Sequence, residues 1–92
     1  MSTTNTIELL EEALAIVANA GIEIRQVYLD GGNGGLCRLG DRYVIFLDIT
    51  MPAPEQLTLI TNTIAKLAIP HTSATPMLSR LIRAQLALQA QS

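Results

Sequence analysis

The spacing of apolar and polar positions divides the chain into six segments. Ile7, Leu10, Leu14 and Val17 recur at helical intervals, and Leu9, Ala13, Ile16 and Ala20 widen the stripe, which predicts a helix from Ile7 to Ala20. Asn5 or Thr6 suits its N-cap, Glu8 stands three residues after Asn5 as in a capping box, and Gly21 occupies the place of a left-handed C-terminal residue. Glu8, Glu11 and Glu12 favour the positive N-terminal end of this helix, so they read as dipole complementarity and a solvated face rather than as acid catalysts. Ile22 to Leu29 then alternates, with Ile22, Ile24 and Tyr28 on one side and Glu23, Arg25 and Val27 on the other, and predicts a half-buried strand.

Beyond a glycine-rich turn, Leu36 to Leu39 predicts a short second strand, Gly40-Asp41 a two-residue hairpin turn, and Tyr43 to Ile49 a third strand that is apolar on both sides. Such a strand is expected to be covered on both faces. In a simple meander the helices cover one face and leave the other to a second subunit. Thr50 to Pro54 breaks the pattern, and Leu57, Ile60, Ile64 and Leu67 form the seam of a helix that starts at Pro54 and stops before Pro70, with Glu55, Gln56, Asn62 and Lys66 facing away. Thr75-Pro76 starts a last helix that runs to about Ala90, whose Leu78, Leu81, Ile82, Leu86 and Leu88 spread round more than one face. The expected fold is α+β: a single domain over 1–92 in the order α-β-β-β-α-α, with a three-stranded antiparallel sheet packed by helices and residues 1–5 as a disordered N-terminus.

Composition sharpens the expectation of a partner. Forty-nine per cent of the 92 residues are apolar and 15% are charged, and the mean hydropathy is positive. A domain of this size buries about two-thirds of its unfolded surface, and so few polar side chains cover it poorly. This favours a subunit interface and predicts a homodimer. A net charge of −2 with Lys66 as the single lysine provides no field for nucleic acid or an acidic membrane. Cys37 has no partner for an internal disulfide, no apolar run reaches the ~18 residues of a membrane span, and MSTTNT lacks the pattern of a signal peptide. The expected compartment is a reducing cytoplasm.

Candidate chemistry gathers between Asp30 and Asp48. In Gly31-Gly32-Asn33-Gly34-Gly35, backbone amides can form an anion-binding nest, with Gly32, Gly34, Gly35 and Arg38 as ligand-binding candidates. A strand follows rather than a helix, no GK[ST] is present, and Cys37 stands where a dinucleotide fingerprint has its third glycine, so a wide hairpin or bulge turn is the stronger reading. Cys37 gains thiolate character if a cation adjoins it, but alternation puts Arg38 on the opposite face, and a free cysteine commonly fills a core. Its sole candidate base is His71, in the linker Pro70 to Ala74. Asp30, Asp41 and Asp48 raise the reading of a shared divalent ion. Asp30 and Asp41 nevertheless fit turn positions, and Asp48 fits a cross-strand ion pair with Arg38 or Arg25. Arg80 and Arg83, one turn apart, can grip a carboxylate or phosphate, although solvation or rim contacts explain them more simply.

The run GGLCRLGDRYVIFLDITMPAPEQL, from Gly34 to Leu57, resembles a pattern found in short uncharacterised bacterial proteins: a Gly-Gly-x-Cys-Arg strand, a tight turn, an apolar strand closing with Asp, and a Pro-Glu-Gln helix start. The resemblance implies no activity for Cys37, Arg38 or Asp48. The leading expectation is therefore a non-enzymatic, self-associating interaction module that acts through its apolar surface, with no cofactor or metal. The alternative is a small enzyme or ligand-binding protein with a site at the glycine-rich turn, using Cys37, Arg38 and Asp48 as catalytic candidates.

Overall fold

A computed structural model describes residues 5–29 and 34–91. The order of elements is the expected one: α1 (Thr6–Asn19), β1 (Glu23–Val27), β2 (Gly35–Leu39), β3 (Arg42–Asp48), α2 (Ala53–Lys66) and α3 (Pro76–Ala90). The Asn5 side chain caps α1 by accepting a hydrogen bond from the Ile7 amide at 2.8 Å. Both α1 and α2 end in a Schellman motif. In α1 the Ile22 amide reaches back to the Val17 carbonyl and the Gly21 amide to Ala18. In α2 the Ile69 amide bonds the Ile64 carbonyl and the Ala68 amide bonds Ala65.

The sheet differs from the expected antiparallel meander. Its strand order is β1-β3-β2, with β1 parallel and β2 antiparallel to β3. The two-residue turn Gly40-Asp41 forms as predicted, with Leu39 opposite Arg42. Gly40 has a φ of +66° and Asp41 does not share a positive φ, the pattern of a type II′ turn. β1 and β2 are not neighbours, so no hairpin joins them; the end of β1 and the start of β2 both lie at the C-terminal end of β3. Gly34 shows why a small residue is needed there: a Cβ would lie 2.7 Å from the Phe46 carbonyl oxygen and 3.2 Å from a Leu29 methyl. Gly31, Gly32 and Asn33 lie outside the described residues. The physical reason for the rearrangement is the composition of β3. As the most apolar strand it takes the centre, where both edges are hydrogen-bonded and both sides are flanked by other strands.

One face of the sheet meets the helices. Ile45 and Leu47 of β3, with Ile24 and Leu36 beside them, join a core made by Leu10, Ala13 and Val17 of α1, Ile60 and Ile64 of α2, and Leu78 and Ile82 of α3. α3 runs back antiparallel along α2: Asn62 Nδ2 donates to Gln85 Oε1 at 3.0 Å and Gln89 Nε2 donates to the Asn62 carbonyl, while Ala65 and Ala68, later in the chain, share a cleft with Ser79 and Arg83, earlier in α3. It has a smaller contact with α1. Thr61 and Thr63 are buried in α2 without loss, since each hydroxyl donates to the carbonyl four residues earlier. Among the described residues no buried side-chain polar atom is left without a hydrogen-bond partner. No helix is long and apolar enough to cross a membrane.

Candidate functional site

Strand pairing fixes where each candidate residue points. Cys37 stands opposite Val44, and Glu23, Arg25 and Val27 opposite Val44, Phe46 and Asp48, so all of these share the face away from the helices. Arg38 stands opposite Tyr43 on the other face. Its guanidinium donates to the Gly40 carbonyl at 3.1 Å and lies 6.0 Å from the Tyr43 ring centroid. The alternation argument that separates Arg38 from the sulfur therefore describes the observed geometry. Cys37 is exposed rather than buried, because the outer face of its edge strand has no layer against it.

Asp48, for which a cross-strand pair with Arg38 or Arg25 is expected, is 4% exposed. Both arginines have other contacts: Arg38 as described, and Arg25 with Glu23 while lying 5.9 Å over the Phe46 ring. The Asp48 carboxylate shapes the start of the β3–α2 connection. Its Oδ1 accepts from the Thr50 amide at 2.9 Å and the Thr50 hydroxyl at 2.6 Å, while its carbonyl accepts from Met51. This is an Asx-turn, which gives a carboxylate near the core two local donors. Cys37 and Asp48 share a face but lie about four residues apart along β3, or roughly 13 Å. The structure thus spreads Cys37, Arg38 and Asp48 over two faces and two ends of the sheet.

The aspartates are also dispersed. Asp41 sits in the hairpin turn at one end of β3, Asp48 at the other, and Asp30 lies outside the described residues. Among the described residues no group of three metal-ligating side chains forms. On the outer face, Glu23 is held below the ordinary glutamate pKa of 4.5, chiefly by its hydrogen bond from Arg25, with the charges of Arg25 and Arg42 acting in the same direction.

A cleft of about 570 Å³ lies on the helical side, between the end of α2 and the middle of α3. The Schellman turn creates it: Ala68 takes a φ of +52°, Ile69 folds into the core, and Pro70 and His71 carry the chain away instead of extending α2. The side chains facing across the gap at Ala65, Ala68 and Ser79 are small and leave it open. His71 and Arg83 line it, and the His71 ring is anchored by Nδ1 on the Ile69 carbonyl at 3.1 Å. His71 is therefore built into this helical cleft, whereas Cys37 belongs to the far face of the sheet. The sequence marked His71 and Arg83 as candidate polar groups, but Ser79 and Leu86 carried no signal that would join them to it.

No protein family, curated protein or solved structure matches this chain.

Proposed function

We propose that this chain is a non-enzymatic interaction module of the cytoplasm that works as a homodimer, the bare sheet face of one copy packing on that of a second. The observation that carries this reading is β3, a central strand apolar on both faces whose helices all lie on one side. A strand with apolar residues on both sides is usually covered on both faces, as in parallel sheets. Here the outer face carries buried Val44 and Asp48, half-buried Val27 and Phe46, exposed Cys37, and Leu39 at 48% exposure, with no helix packed on it among the described residues. Its charges are balanced, Glu23 and Asp48 against Arg25 and Arg42, so the face has no net field to repel its twin.

Light scattering of the purified chain at micromolar concentration tests the reading. The expected mass is twice 9.9 kDa. Leu39→Arg, on the outer face, is expected to halve it, whereas Leu88→Arg, at an exposed position on α3, leaves it unchanged. A monomer throughout, or a dimer broken by Leu88→Arg and not by Leu39→Arg, would overturn the reading.

A further inference from the structure

We propose that the α2–α3 cleft is a binding site for a small amphipathic monocarboxylate, with its apolar body on Ala68, Pro70 and Leu86 and its carboxylate at Arg83 and Ser79. The cleft's volume of about 570 Å³ falls within the range of ~300–1,000 Å³ typical of small-molecule sites. It combines the two chemistries such a ligand needs. Ile64 and Ile69 are buried beneath the cleft and hold its base in place, while the exposed Ala68 and Pro70 and the 42% exposed Leu86 supply apolar surface that leaves water once the cleft is filled.

The polar lining sets the sign of the ligand. Arg83 brings a permanent cation, Ser79 a hydroxyl donor, and no carboxylate lines the cleft. One planar guanidinium matches one planar carboxylate through two parallel hydrogen bonds. A doubly charged phosphate head finds no second permanent cation here, since Arg80, one turn earlier, does not line the cleft. His71, fixed through Nδ1, holds its other ring nitrogen in reserve for a second polar atom of the ligand. The cleft lies on the opposite side of the sheet from the proposed dimer face, so occupancy and self-association are separable.

The test is an amide-resolved NMR titration with octanoate, octanol and inorganic phosphate as probes. Octanoate is expected to shift amides within 64–72 and 79–86 in a saturable manner, octanol more weakly, and phosphate not at all. Arg83 is exposed, so Arg83→Gln is expected to weaken octanoate by about fivefold, the scale of a solvent-accessible ion pair. The same change should leave octanol binding as it was, and Arg80→Gln should alter neither. Equal binding of octanoate and octanol, an Arg83→Gln variant that binds octanoate like the parent, an equal loss in Arg80→Gln, or shifts located on the sheet would each overturn the proposal.

Discussion

Ile45 and Phe46 are adjacent in one strand, yet they are held by different agents. Ile45 and Leu47 are wholly buried against three helices. Val44, one position earlier, is just as inaccessible, but its immediate cross-strand neighbours are Glu23 and Cys37 rather than an apolar layer. Phe46 is half-buried, with the Arg25 guanidinium over its ring and Glu23 holding that guanidinium in turn. The comparison teaches that the hydropathy of a strand states how much surface must leave water, without stating what removes it. On one face tertiary packing does so. On the other, long charged side chains laid flat provide partial cover, as amphipathic stems can, and leave room for a second copy.

The largest expected effect separates the faces directly. Ile45→Ala removes a packed side chain from a core that cannot easily collapse, and urea unfolding should show a loss of about 3–4 kcal/mol. Phe46→Ala should lose about 1–2 kcal/mol in dilute solution, because the ring is already partly exposed. Under the dimer proposal the Phe46→Ala loss grows with protein concentration while the Ile45→Ala loss does not, since only the former touches the association step. Equal losses for the two variants would erase the distinction between the faces.

A smaller effect concerns the charged cover itself. The folded-state pKa of Glu23 lies below its unfolded value, so the stabilisation from its charged form is fully present above 4.5 and is lost as pH falls through the lowered folded value. An NMR titration of the Glu23 carboxyl should therefore give a midpoint below 4.5, and Arg25→Gln should return it toward that value. A Glu23 midpoint unmoved by Arg25→Gln would show that the guanidinium does not govern this face. The smallest effect is expected at Cys37. Its side chain is exposed in the single chain, so Cys37→Ser should change monomer stability by less than about 0.5 kcal/mol, and Cys37 should label with iodoacetamide without prior unfolding at concentrations low enough to dissociate the proposed dimer, and more slowly above them.

Much of the local structure was legible. Asn5 caps α1 where the capping-box spacing placed it, Gly21 closes that helix, Gly40-Asp41 turns the hairpin, and Pro76 opens α3. These features depend on a few consecutive residues, so sequence spacing encodes them. The end of α2 was legible only through Pro70, because its Schellman turn uses Ala68 in a conformation that usually selects glycine. Glu12 gives another limit. It reads as a solvated acid on α1, but its carboxylate accepts the Thr75 amide at 2.7 Å and the Thr75 hydroxyl at 2.9 Å, fixing the start of α3 from 63 residues away. The candidate site was less legible still. Cys37, Arg38 and Asp48 cluster in the sequence and disperse in the fold, while Ser79, Arg83 and His71 come together from two elements.

The sequence by itself determined the six elements, their order and the apolar seams of α1 and α2, since periodicity and capping act over a few residues and need no distant partner. Tertiary structure alone decided that β3 lies between β1 and β2 and that a cleft opens beside Ala68. Those outcomes follow from competition among segments for the same buried space. The most apolar strand gains most from the centre of the sheet, and Gly34 permits the close approach to its Phe46 carbonyl.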